Sequence, residues 1–131
     1  MDLIKITLDK ERARSILKMT NLIEERVKLQ DKEKMAALIL SDYYEIIKEL
    51  LTALLLLDGC KTLSHKDLID YIDQNYKELT KYEISFLHDL RIMRNKIMYE
   101  GLFVEYSFLE RNENLIKTII NKLRNLINKK L

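Results

Sequence analysis

The sequence predicts an all-α chain of four long helices and one short one, arranged as an antiparallel bundle. Three observations carry this. Glycine occurs twice and proline never in 131 residues, which leaves little material for the many tight turns of a β-rich fold. Hydrophobic residues make up 47% and charged residues 34%, the balance of amphipathic helices. Apolar residues also recur at three- and four-residue steps along most of the chain.

The elements follow in order. Asp9 is a suitable N-cap, and after it Ala13, Ile16, Leu17, Thr20, Ile23 and Val27 mark one face of a first helix. A second long helix is expected to start after Asp31 and run to about Asp58. It ends in the apolar run Leu50–Leu57, which marks the most buried part of the domain, and Gly59 suits its C-terminal cap. Ser64 with Asp67 three residues later approximates a capping box for a short helix that turns Leu68, Ile69 and Ile72 inward. After a break near Asn75–Thr80, a fourth helix runs to Gly101. A fifth carries Phe108, Leu109, Leu115, Ile116, Ile119, Ile120, Leu123 and Ile127 as a stripe.

At 131 residues, without a repeat or a linker, the chain is expected to be one domain over residues 1–131. No stretch has the roughly 18–20 apolar residues that cross a bilayer, and the first residues lack the basic start and apolar middle of a signal peptide. A cytoplasmic protein with no membrane partner is therefore expected. The single cysteine, Cys60, suits a reducing compartment and reads as an inert thiol. No metal-ligand spacing and no glycine-rich phosphate loop is present, so neither a metal nor a cofactor is implied. The net charge of +2 is unevenly spread: Arg111–Leu131 holds six cations against the lone anion Glu113. Such a run reads as a solvated helix face or as a surface that touches RNA.

The densest polar chemistry lies in Leu90–Gly101, LRIMRNKIMYEG. At about 100° per residue, Phe86, Leu90, Met93 and Ile97 form the expected core stripe of the fourth helix. Arg91, Arg94, Asn95, His88 and Tyr99 then share one arc opposite that stripe, together with Ile84, Leu87 and Met98. A half-apolar face bearing Arg, Asn, His and Tyr suits an interface or binding cleft better than a solvent face.

Arg94-Asn95-Lys96-Ile97-Met98-Tyr99 resembles the Arg-Asn-x-x-x-His signature of HEPN domains, with tyrosine in the histidine slot. The resemblance spans the two long leading helices, the Gly59…Ser64-His65-Lys66-Asp67-Leu68-Ile69 entry to the short helix, the motif helix and the last amphipathic helix. It implies a homodimer whose motif helices line a shared cleft. It also implies metal-independent ribonuclease chemistry, and a minimal nucleotidyltransferase as the partner in a toxin–antitoxin pair. By carry-over, Arg94 grips the phosphate, Asn95 orients it and Tyr99 holds the acid/base position. A phenol with a pKa of about 10 is a poor general base at neutral pH. His88, one turn before Arg91, is the candidate substitute.

Each group has a plainer reading. Arg91 and Arg94 would pair with acids such as Glu83 or Glu100, or with a partner subunit, Asn95 and Tyr99 would hydrogen-bond across a dimer interface, His65 would decorate a helix start, and the remaining tyrosines would be packing. Three functions follow. The first is a non-catalytic or weakly active HEPN-like homodimer that partners a minimal nucleotidyltransferase or binds RNA or nucleotide at Arg91, Arg94 and Asn95. The second is a metal-independent ribonuclease using Arg94 and Tyr99, with His88 assisting. The third is a structural dimerisation module.

Overall fold

Helix α2 (Ala36–Asp58) is the hub of the fold. In a computed structural model, which describes residues Met1–Leu131, it packs against α1 (Lys10–Lys28), α3 (His65–Asn75), α4 (Lys81–Glu100) and α5 (Tyr106–Lys130). The reason lies in its sequence. Ile39, Leu40, Tyr43, Tyr44, Ile46, Ile47 and almost all of Leu50–Leu57 are buried, so α2 is apolar nearly all round and needs neighbours on every side. One cluster of 31 buried side chains joins all five helices. The chain is thus all-α, with four long helices and one short one, and none is long and apolar enough to cross a membrane.

Several helix ends form where the residues direct them. The Asp9 carboxylate accepts the Arg12 N–H at 3.0 Å, and Ser64 Oγ accepts the Asp67 N–H at 3.2 Å. Gly59 and Gly101 both adopt left-handed backbone, with φ of 80° and 68°. After Gly101 the Leu102 N–H returns to the Lys96 carbonyl at 3.1 Å, which also accepts the Gly101 N–H, and so closes the helix end. Thr20 is buried among apolar neighbours because its hydroxyl donates to the Leu17 carbonyl at 2.8 Å.

Three expectations need correction. The second helix starts at Ala36, not after Asp31. The Asp31 carboxylate instead accepts the N–H groups of Glu33 and Lys34, which folds those residues into a separate turn that stops at Met35. A small antiparallel pair, β1 (Ile4–Lys5) with β2 (Cys60–Lys61), was not anticipated. It sews the N-terminal segment to the end of α2, and Ile6 N–H adds a bond to the Gly59 carbonyl at 2.9 Å. Two-residue strands are too short to leave a period in the sequence. The basic last helix is only in part the solvated face expected of it: Arg111, Lys117 and Lys129 are exposed, but its other three cations are paired. Lys122, Arg124 and Lys130 are matched by Glu83, Glu24 and Asp58 from three other parts of the fold.

Two of those pairs, at Asp58 and Glu83, belong to carboxylate knots that tie helices together, and Glu113 forms a third. Asp58, at the end of α2, accepts the hydroxyls of Tyr71 and Tyr76 at 2.8 and 2.7 Å and the Lys130 ammonium at 2.7 Å. Glu83 accepts Lys122 at 2.8 and 3.0 Å and closes a reciprocal capping box with Thr80. Glu113 on α5 accepts Lys32 at 2.9 Å and the Tyr43 hydroxyl at 2.7 Å. Burial alone would raise each carboxyl pKa. The hydrogen bonds from these partners outweigh it and hold all three below the ordinary carboxylate range.

Candidate functional site

The face that α4 buries differs from the apolar stripe expected of it. Glu83, Ile84, Leu87, Leu90 and Ile97 are its buried residues, while Phe86 and Met93 are only partly covered. On the helical wheel the covered face is turned by about 70° from the expected one, which puts Arg94 in its middle. Arg91 and Arg94 therefore do not oppose the core. They lie half-buried on the side where α4 meets α2 and α3, with the Nε of each shielded from solvent and unpartnered. The long arginine stem makes this possible, because its methylenes pack while the guanidinium keeps polar surroundings.

The floor beneath these arginines is Tyr44 of α2. The Arg94 guanidinium carbon stands 5.8 Å from the centre of its ring. The imidazole of His65, the first residue of α3, packs against the same ring with centroids 6.1 Å apart and planes tilted by 42°. Tyr44 is 1% exposed. Its hydroxyl has no carboxylate partner, whereas those of Tyr43, Tyr71 and Tyr76 each have one. Burial pushes the Tyr44 phenol up to about 12, against the opposing pull of Arg91 and Arg94. Burial also lowers the basicity of His65. Lys48, Arg94 and Arg91 reinforce that effect, and Glu45 offsets part of it.

The pairing of cations singles this place out. Five Lys and Arg residues of the chain are half-buried: Lys48, Arg91, Arg94, Lys122 and Arg124. Lys48 sits 2.8 Å from Glu45 and 3.3 Å from Glu49, Lys122 is held by Glu83, and Arg124 by Glu24. Arg91 and Arg94 have no carboxylate within ion-pair distance, and Arg94 donates to no side chain but Asn95, at a long 3.3 Å. The expected pairing with Glu83 or Glu100 does not occur. Glu83 is taken by Lys122, and Glu100 is exposed at the helix end. Two guanidinium groups three residues apart without a counter-charge, half out of water, are the chemistry that an oxyanion such as phosphate would pair with.

The other residues expected at the site are dispersed. His88 is drawn aside: its Nε2 lies 3.0 Å from Asp70 of α3, whose second oxygen accepts Lys66 at 2.8 Å. Asn95 stays at the rim beside Arg94. Tyr99 is 78% exposed on the outer side of α4 and does not share the Arg94 surroundings. Met98, Ile92 and, just past the helix, Phe103 at 93% are exposed with it. Phe103 also lines a groove of about 280 Å³ between the start of α2 and the end of α4, with Met35, Leu38, Ile97, Leu102 and Val104.

Sequence reasoning missed Tyr44, Lys48 and His65 as members of the site. Tyr44 sits inside an apolar helix and His65 behind an ordinary N-cap, so only the approach of three helices unites them with Arg91 and Arg94. The capping box at Thr80 was also missed, although Thr80-Lys81-Tyr82-Glu83 carries its signature. No protein-family model matches the chain, and no curated protein matches it.

Proposed function

We propose that the chain is a HEPN-like homodimeric domain that binds RNA or a nucleotide by a phosphate group at Arg91 and Arg94, with little or no ribonuclease activity. The observation that carries this reading is the uncompensated arginine pair. Every other half-buried cation has an acid, so these two guanidinium groups are kept for a charge that the chain itself does not supply. Asn95 at the rim braces Arg94.

The homodimer is supported by apolar side chains left exposed along and just past the motif helix, Ile92, Met98, Tyr99 and Phe103, and by the groove that Phe103 helps to line. A minimal nucleotidyltransferase as a second partner rests on the resemblance of Arg94–Tyr99 to the HEPN signature. The ribonuclease reading ranks second. Arg94 and Tyr99 occupy different faces of α4, so one phosphate is within reach of both only if a second copy supplies the tyrosine.

Fluorescence anisotropy with a short single-stranded RNA tests the proposal. Arg94→Met and Arg91→Met are each expected to weaken binding at least about tenfold, and to flatten its salt dependence. Lys96→Met, at an exposed position on the same helix, is expected to change little. Equal binding by all three variants overturns the reading. Sedimentation as a monomer at micromolar concentration, with and without RNA, overturns the homodimer.

A further inference from the structure

The cradle around Arg91 and Arg94 has one more group able to bind an anion. His65 projects from the first turn of α3 onto the ring of Tyr44, the same ring that Arg94 overlies from α4. The charged and titratable groups that act on it from α2 are Tyr44, Glu45 and Lys48, and from α4 Arg91 and Arg94. Two cations of the group lack partners, while Lys48 is matched by both Glu45 and Glu49. Those five charges leave one net positive charge, and an imidazolium at His65 would make two. The chain has only one other histidine, His88, and that ring is committed to Asp70.

Resting on the phosphate site proposed above, we infer that His65 is a third ligand of the bound phosphate, and that the ligand is a terminal phosphomonoester rather than an internal phosphodiester. An internal diester carries one negative charge, which the one net positive charge of the cradle already balances with His65 neutral. A terminal phosphate carries between about 1.5 and 2 negative charges at neutral pH and has three free oxygens. Two guanidinium groups and one imidazolium supply a donor for each of those oxygens. Without ligand, three neighbouring cations and partial burial disfavour the imidazolium. A dianion placed between His65 and the arginines reverses that, so binding draws a proton onto the ring. Tyr44 holds the geometry: its ring is the common surface against which His65 packs and over which Arg94 lies.

Two measurements on the intact chain test this. In the first, the two histidine ring signals are followed by NMR against pH, with and without sulfate, a probe that stays a dianion throughout. The His65 midpoint is expected to rise by about half a pH unit or more on adding sulfate, while that of His88 stays put. An unmoved His65 overturns its role as a ligand, and this readout needs no variant. In the second, an RNA octamer with a 5′-phosphate is expected to bind at least tenfold more tightly than the same octamer with a 5′-hydroxyl. His65→Gln, or His65→Asn should glutamine not be tolerated, is expected to shrink that preference to threefold or less. Equal binding of the two RNAs by the parent overturns the phosphomonoester assignment.

A nucleoside 5′-monophosphate separates the two sources of such a group. Competition as strong as that of the phosphorylated octamer assigns the site to free nucleotides, and weaker competition assigns it to RNA ends. Failure of both to displace a labelled phosphorylated RNA overturns the assignment. If Arg94→Met binds the phosphorylated octamer as the parent does, the underlying phosphate site fails. If Arg94→Met abolishes binding while His65 neither moves nor matters, only the present inference fails.

Discussion

Removing Arg91 should make the protein more stable, and removing Arg124 should make it less so, although both are half-buried arginines. The difference lies in what each leaves behind. Arg91 has a shielded, unpartnered Nε and no carboxylate, and it stands three residues from another cation, a spacing at which like charges repel by roughly 0.2–0.5 kcal/mol. Relief of an unsatisfied buried donor adds on the order of 1 kcal/mol. Methionine keeps most of the packing stem, so Arg91→Met is expected to gain about 0.5–1.5 kcal/mol.

Arg94→Met gains similar terms but loses its position over Tyr44, a contact of about 0.5–1 kcal/mol, and should fall within about 0.5 kcal/mol of the parent. Arg124→Met leaves Glu24, whose side chain is only 22% exposed, without its partner. Relief of the shielded, unpartnered Nε and Nη2 of Arg124 offsets part of that loss, so a net cost of about 1 kcal/mol is expected. Urea unfolding at low phosphate measures all three, and thermal midpoints should follow by about 3–4 °C per kcal/mol. Losses above about 1 kcal/mol in both Arg91→Met and Arg94→Met would refute the reasoning, because they would mean that the arginines already have partners inside the fold. A gain in stability that coincides with loss of phosphate binding is the signature of a residue kept for a ligand.

Two further predictions concern the scaffold. The carboxyls of Asp58, Glu83 and Glu113 are held below their ordinary values of 3.8, 4.5 and 4.5, so each favours the folded state above its ordinary pKa and loses that contribution as pH falls through its lowered one. Stability should therefore be flat above about pH 7, decline gently below about pH 6.5 as His65, whose imidazolium the fold disfavours, begins to protonate, and fall steeply below about pH 4. Asp58→Ala, which strands two tyrosine hydroxyls and Lys130, should cost about 3 kcal/mol in urea unfolding at neutral pH. Gly59→Ala and Gly101→Ala both force alanine into left-handed backbone, at about 1 kcal/mol each. At Gly59 the added methyl also meets the Ile6 carbonyl oxygen at 3.2 Å, whereas at Gly101 it meets nothing, so calorimetry should find Gly59→Ala the less stable of the two.

How much was legible in advance divides along one physical line. Sequence alone determined what depends on neighbours along the chain: the helical class, the caps at Asp9 and Ser64, the two left-handed glycines and the apolar core of α2. These rest on interactions within one or two turns, where residue type and spacing decide the outcome. Sequence also found Arg91, Arg94 and Asn95, because their density on one helix is itself a local signal.

Only the tertiary structure decided which way that helix faces. Apolar identity pointed to Phe86, Leu90, Met93 and Ile97, but the position of α4 against α2 and α3 turned Arg94 inward and Tyr99 outward. It also decided the fate of the charges. Three of the six cations of the basic last helix were matched by acids as far away in sequence as Glu24, and Arg91 and Arg94 were left unmatched. Ion pairing depends on which side chains meet across space, and a one-dimensional pattern holds no record of that.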